Sequence, residues 1–352
     1  MDKKLIVLAA SLDQPRIVKR IIEKANHYDS VEVYGFKRRI YNVDNYDKLK
    51  TFRNIEITII GTFSDGKYIN RLFLYLKLYI TLFAKYGLSE KKIYSFGIDL
   101  NFIAQLLINR EIYYEISDII WLYKKGLVKK ILQRIDFLLC KKSKRVIFTS
   151  EGFYSIHYSF LKTSKVKIIE NKFKTFNIVR PLEEIKLDKI YIAYIGAFRY
   201  PSIISNLLDY VSLNSEIELR FYGEGDSELM KVIKKYAKEN NNIFYSGYFK
   251  NPDDLEHIYA ENNLNFVAYD NTLENERVAL PNKFYESGFF NIPILCSENT
   301  FVGEKVLKFD MGWVVNPTKE GISEFFNNLT ISEIENFHEK IKRIDKNQFS
   351  ID

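Results

Sequence analysis

Short apolar runs alternate with helix-period segments from one end of the chain to the other, and the rhythm starts twice. The first series is Leu5 to Ala9, Val31 to Tyr34, Ile55 to Gly61, Lys92 to Phe96, Ile112 to Glu115 and Arg145 to Thr149. The second is Ile190 to Ile195, Glu218 to Tyr222, Ile243 to Tyr245, Asn265 to Ala268 and Ile294 to Leu295. Runs this short and apolar suit strands covered on both faces, and intervening helices supply the crossovers that parallel strands need. The pattern predicts an α/β protein with two doubly wound, Rossmann-like domains. The length of 352 residues agrees, being more than one ordinary core holds.

The stretch from Asn171 to Lys189 lacks periodicity and carries Pro181, so the domain boundary falls there. We read residues 1–178 as a first domain, 190–330 as a second, and 331–352 as a closing helix. Ser332 and Glu335 have the spacing of a capping box for that helix, which runs over about Thr330 to Ile344.

Charge divides the halves. Residues 1–180 hold 34 Lys+Arg against 17 Asp+Glu, whereas the remainder holds 18 against 28. A basic half attracts anionic surfaces such as phospholipid head groups or a polyprenyl pyrophosphate. Nucleic acid is a weaker partner for it, because no reader module and no glycine-arginine interleaving occurs, and none is expected to bind. Cys140 and Cys296 match no metal or redox spacing and read as small hydrophobes in a reducing cytosol. The opening MDKKLIVLAASLDQP has the short apolar run of a buried strand, not of a secretion signal, and no apolar run is long enough to span a bilayer.

The residues from Ala279 to Leu295, ALPNKFYESGFFNIPIL, carry the clearest chemistry. Pro281 ends a strand or loop, Asn282 suits a helix N-cap, and the first-turn amides of the following helix present the positive end of a dipole to an anion. Lys283 adds a point charge for phosphate, and Glu286 can accept two hydrogen bonds from a vicinal diol such as a ribose. The plainer reading is that Glu286 complements the dipole and Lys283 is solvated.

This segment resembles the donor-sugar-nucleotide motif of GT-B glycosyltransferases, in particular the family-four-like enzymes of bacterial capsule and surface polysaccharide assembly. The matching positions are Pro281, Asn282, Lys283, Glu286 and the closing Asn291-Ile292-Pro293-Ile294. One departure is visible: many members carry a second glutamate eight residues earlier, where this chain has Val278, with Glu276 close by but out of register. The resemblance covers about Ile190 to Asn328 and is thinner over the first half. It implies a GT-B fold, with the two domains facing a cleft and the closing helix crossing back to the first.

What the resemblance implies can be placed residue by residue. Arg199, after the strand ending Tyr194-Ile195-Gly196, would neutralise charge on a departing diphosphate, although an arginine beside Tyr200 and Pro201 also stacks on its neighbours. Gly196 and Gly223, the latter in Gly223-Glu224-Gly225, mark the donor domain; alone, such a GxG serves a tight turn equally well. Tyr248 and Phe249, in Ser246-Gly247-Tyr248-Phe249, would border the nucleobase, uridine diphosphate being the expected carrier; an aromatic at a strand end is also ordinary core. In the first half, Asp118 or Asp13 would be the carboxylate that deprotonates or orients the acceptor, and helix N-capping is the competing role for either. No Asp-x-Asp triplet occurs, so metal-independent transfer is expected, with helix amides, Arg199 and Lys283 in place of a cation and no cofactor beyond the nucleotide-sugar itself.

Two segments of the basic half bear on its partner. From Trp121 to Arg145, Leu127, Val128, Ile131, Leu132, Ile135, Leu138 and Leu139 fall on one helical face with Lys125, Lys129, Lys130 and Arg134 opposite, the pattern of a surface helix docked on a core. Tyr68 to Tyr86 mixes tyrosines with leucines and has only Arg71, Lys77 and Lys85 charged, a composition suited to the headgroup boundary. The resulting expectation is a cytoplasmic hexosyltransferase, peripheral on the inner face of the cell membrane, that moves a sugar from a nucleotide-sugar to a lipid-linked saccharide. The alternative is a non-catalytic, membrane-associated scaffold of the same fold.

Overall fold

The computed structural model describes residues 3–38, 45–63, 68–174 and 180–351. The chain forms two compact units, residues 1–170 and 171–352, so the division falls at the front edge of the expected linker. Position 178, the expected limit of the first domain, lies outside the described residues.

The first unit runs β1 (Lys4–Ala9), α1 (Pro15–Ala25), β2 (Ser30–Arg38), β3 (Ile55–Phe63), α2 (Tyr68–Tyr86), β4 (Lys91–Phe96), α3 (Gly97–Leu106), β5 (Arg110–Ile116), α4 (Gly126–Lys142), β6 (Arg145–Phe148), α5 (Glu151–His157) and β7 (Val166–Ile168). Its strands pair in the order β3-β2-β1-β4-β5-β6-β7, all parallel. Because β1 neighbours both β2 and β4, the order reverses beside β1, which is the crevice where such sheets bind ligands. Leu5, Val7 and Ala9 join Ile17, Val18 and Ile21 of α1 in a core on one face. Ile6, Leu8, Ile93 and Ile112 meet Leu78 and Leu82 of α2 and Leu100 and Ile103 of α3 on the other.

Polar anchors reinforce both layers. Glu115, fully buried at the end of β5, accepts from Arg20 Nε of α1 at 3.0 Å and from the Tyr94 hydroxyl. Burial opposes charge on Arg20, but Glu115 and Glu23 more than offset it, and the guanidinium stays firmly protonated. On the opposite face Asp136 of α4 accepts from Tyr114 Oη at 2.7 Å, from Trp121 Nε1 at 3.0 Å and from the Tyr158 hydroxyl. Burial raises its carboxyl pKa above the ordinary aspartate range, and the three donors offset only part of that rise.

That anchor corrects the expectation for α4. Only Asp136, Leu139 and Cys140 are buried on this helix, while Leu127, Val128, Ile131 and Leu138 of the expected docked face are exposed. A polar residue, satisfied by two tyrosines and a tryptophan, fastens the helix where periodicity points to leucines. The tyrosines of α2 are corrected in the same way: Tyr75, Tyr79 and Tyr86 pack against the core, and Tyr86 donates to Glu32 at 2.6 Å.

The second unit runs β8 (Phe173–Lys174), β9 (Ile190–Phe198), α6 (Pro201–Ser212), β10 (Ile217–Gly225), α7 (Ser227–Glu239), β11 (Ile243–Gly247), α8 (Leu255–Ala260), β12 (Leu264–Val267), α9 (Glu274–Val278), α10 (Asn282–Phe290), β13 (Ile294–Ser297), α11 (Phe301–Lys308), β14 (Gly312–Val315), α12 (Lys319–Asn328), α13 (Ile331–Lys342) and β15 (Ser350–Ile351). Its main sheet has the order β11-β10-β9-β12-β13-β14, again parallel and reversing beside β9. The closing helix α13, for which the resemblance implies a crossing to the first half, buries Ile334 and Ile341 in the two cores of the second unit. Its capping box is Thr330 with Glu333, two residues ahead of the expected Ser332 with Glu335, because Thr330 is the residue left with extended backbone before the first turn.

Candidate donor-nucleotide site

The second unit gathers its chemistry at the C-terminal ends of β9 and β10 and at the start of α10. Gly196 and Gly223 sit opposite each other in the β9–β10 pairing. Gly223 has φ +135°, and a Cβ there would lie 1.9 Å from the Gly196 carbonyl oxygen, so the GxG is demanded by the close approach of two strand ends. On Gly196 a Cβ would lie 3.8 Å from Lys283 Cε, which places the lysine stem against this strand end.

Lys283 belongs to the first turn of α10. The structure makes Pro281 the N-cap, with extended backbone at φ −75° and ψ 154°, and Asn282 the first helical residue; no side chain caps the turn. This corrects the capping role expected of Asn282. Proline has no amide hydrogen to satisfy and reaches this backbone conformation without strain.

One turn on, Glu286 is buried, with 3% of its surface exposed. Lys283 Nζ lies 2.5 Å from its Oε2, Tyr259 Oη of α8 donates to the same oxygen at 3.1 Å, and Asn251 Nδ2 donates to Oε1 at 3.3 Å. Asn265 of β12 supports this arrangement, donating to Tyr259 Oη at 3.2 Å and to Ser287 Oγ at 2.7 Å. Burial, followed by the nearby Glu286 charge, raises the Tyr259 hydroxyl far above the ordinary tyrosine range, so it stays a donor. The Lys283 ammonium also lies 5.4 Å from the Phe249 ring centroid. Lys283, Glu286, Phe249 and Asn251 therefore converge, and Tyr248 is exposed beside them in sequence.

Arg199 is exposed, three residues beyond Gly196, and its charge acts on Tyr194 and Tyr200. Val278, standing where resembling enzymes carry a carboxylate, is buried. Glu276 is buried too, and its charge adds to burial and to Tyr269 in raising the Tyr200 hydroxyl, which puts this out-of-register acid near the loop that bears Arg199. In the first unit Asp13 is buried and Asp118 exposed. Neither is the N-cap residue of a helix: α1 has Gln14 there, and the short helical turn at Ile120–Tyr123 has Ile119.

Neither a protein-family model nor a curated protein sequence matches this chain. Solved structures do. Anabaena HepE, in a complex with UDP and glucose, superposes with a TM-score of 0.71 at 13% identity over 99% of this chain and 97% of its own. Sucrose-phosphate synthase from Thermosynechococcus elongatus gives 0.67 at 13% over 97% and 94%. WaaG, a glycosyltransferase involved in lipopolysaccharide biosynthesis, gives 0.65 at 12% over 98% and 97%. This chain has the GT-B fold.

Of the residues singled out in the sequence, this GT-B chain brings Lys283, Glu286, Gly196 and Phe249 together, and it adds Asn251, Tyr259 and Asn265, which the sequence reading does not include. Asn251 was within reach, two residues past Phe249 in a loop already singled out. Tyr259 and Asn265 carry no local signal, since a tyrosine on a short helix and an asparagine within an apolar strand gain meaning only from the carboxylate and hydroxyl they meet.

Proposed function

We propose that this protein is a family-four-like hexosyltransferase that moves a sugar from a uridine-diphosphate-type donor to a lipid-linked saccharide in capsule or surface polysaccharide assembly, without a metal ion, on the inner face of the cell membrane. The observation that carries the reading is the pair formed by Lys283, on the first turn of α10, and Glu286, one turn on, with the lysine stem packed against the Gly196 strand end. HepE, of matching fold, is described in complex with UDP and glucose, which supports a nucleotide donor here.

In this reading Glu286 accepts the ribose hydroxyls, Phe249 and Tyr248 border the base, and Lys283 with Arg199 receives the diphosphate. Lys283 spends its charge on Glu286 in the structure described here, and a diphosphate competes for it. As Lys283 turns to phosphate, Oε2 becomes available to a hydroxyl. In the transfer the bond from the anomeric carbon to the diphosphate oxygen breaks, a bond to the acceptor oxygen forms, and the acceptor proton passes to Asp13 or Asp118. The negative charge gathered on the departing diphosphate is what Lys283, Arg199 and the first-turn amides stabilise.

The test is a thermal-shift screen with nucleoside diphosphates and nucleotide-sugars in chelator, followed by transfer assays on Arg199→Ala. A shift with one nucleotide, and loss of turnover with the fold retained in the variant, support the proposal. No shift with any nucleotide refutes it.

A further inference from the structure

Helices α2, α3 and α4 cover one face of the first unit's sheet as a single layer. Leu78 and Leu82 of α2 and Leu100 and Ile103 of α3 share one core, Tyr114 binds Asp136 of α4 two residues along β5 from Ile112 of that same core, and Asn101 of α3 donates to Ser143 at the end of α4. The outer surface of this layer is apolar as well. Of the twenty-six large hydrophobic residues exposed among the described residues, sixteen lie between Ile69 and Leu138. On α2 they form one stripe at helical spacing, Ile69, Leu72, Phe73, Leu76, Ile80 and Phe83, with exposures of 45 to 75%. Phe102 and Leu106 are exposed on α3, and Leu127 and Ile131 on α4.

The charges say what covers it. Helix α2 contains no acidic residue, and its cations turn toward β2 and β3: Arg71 lies 5.3 Å from the Phe63 ring, Lys77 Nζ donates to the Ile60 carbonyl at 2.9 Å, and Lys85 pairs with Glu32. The segment from Lys124 to Arg145 is the reverse, with nine Lys or Arg and only Asp136 acidic, buried among tyrosines. Lys124, Lys125, Lys130 and Arg134 are all exposed. An uncharged apolar stripe beside a cationic helix whose one acid, Asp136, is buried complements an acyl region beneath anionic head groups. A second copy would set like charges against each other, which opposes self-association.

We infer that the α2–α4 layer is the surface by which the protein enters the membrane interface, with α2 lying in the bilayer plane and its apolar stripe below the head groups, and with α4 supplying the anionic-lipid contacts. The inference rests on the membrane partner proposed above and gives it a place and a mode, apolar penetration joined to charge attraction. No described helix is long and apolar enough to cross a membrane, so the contact is one-sided.

Vesicle co-sedimentation tests it, using phosphatidylcholine vesicles with and without phosphatidylglycerol. The exposed positions tolerate substitution, and each variant's melting curve and uridine diphosphate shift are recorded beside it. Leu72→Gln with Phe73→Gln is expected to weaken binding to both vesicle types, about 100-fold for two apolar side chains withdrawn from water's exclusion. Lys130→Gln with Arg134→Gln is expected to weaken binding to the anionic vesicles by about 20-fold while leaving the neutral ones unchanged. Equal binding of parent and Leu72→Gln/Phe73→Gln protein overturns the inference, as does a concentration-dependent rise in mass that the apolar variant abolishes without any vesicle binding, which assigns the face to a second copy. The nucleotide shift separates outcomes: its loss in the parent protein refutes the donor reading and leaves the vesicle result standing.

Discussion

Glu286→Gln separates recognition of a ribose from simple support of Lys283. Alanine is the wrong replacement, because a side chain that is 3% exposed and takes bonds from Lys283, Tyr259 and Asn251 leaves those donors stranded when it is removed. A buried unpaired hydroxyl and ammonium together cost about 3 kcal/mol, enough to lower the melting temperature by roughly 6 to 12 °C in a unit of this size. Glutamine keeps the volume and one acceptor for Tyr259, so the fold survives. What it loses is the charge and the second acceptor, and two charge-assisted bonds to a diol become at most one neutral bond. That difference is about 2 to 3 kcal/mol, or about 30- to 150-fold in the dissociation constant of uridine diphosphate, measured by calorimetry. The control is the 2′,3′-dideoxy nucleotide, which has no diol to lose; parent and variant should bind it alike. Inorganic pyrophosphate should bind the variant no more weakly than the parent, since Lys283 has been released from its ion pair. Equal losses for nucleotide, dideoxy nucleotide and pyrophosphate would show that Glu286 acts only by holding Lys283, and the ribose assignment would fall.

Three further outcomes follow from the geometry. Gly223→Ala should cost more than about 3 kcal/mol, because its φ of +135° and a contact of 1.9 Å to the Gly196 oxygen leave the methyl no room, whereas Gly126→Ala, with φ +58° and nothing within 4 Å, should cost about 1 kcal/mol; urea midpoints of the two variants rank them. Thr330→Ala should remove about 1 kcal/mol by deleting the cap of α13, while Ser332→Ala stays within about 0.5 kcal/mol, and equal effects would contradict the capping box found here. Burial lowers the Lys346 ammonium from the usual 10.5 to about 8, although its Nζ donates to Gly288 and Asn291 at the end of α10 and to Ile341 of α13. The unfolded chain then holds the extra proton between those values, so stability gains from this group as pH rises from about 8 to 10.5 and is flat below 8. Lys346→Met should remove that part of the slope in denaturant titrations across the range.

Much of the architecture could be read without coordinates because strand and helix periods are local. The run Ile190 to Ile195, the helix Tyr68 to Tyr86 and the alternation between them need only a chain whose apolar residues recur at two or at three to four positions. The Lys283 and Glu286 spacing is likewise local, since residues three apart on a helix share a face. Caps were less secure: Pro281 and Thr330 won those places over Asn282 and Ser332 according to which residue kept extended backbone at the entry to the helix, and side-chain preference alone does not decide that.

Periodicity says that a face is apolar and leaves its covering undecided. Neighbours decided that for α4, whose buried contact is Asp136 with Tyr114, Trp121 and Tyr158, and whose leucines at 127 and 138 face water. The same holds at the candidate site. The chain order alone specified an acid one turn into α10, but only folding brought Tyr259 and Asn251, 27 and 35 residues distant, onto its two oxygens and pressed the Lys283 stem against Gly196. Hydrogen bonds and packing act over a few ångströms of space, and sequence separation carries no record of them.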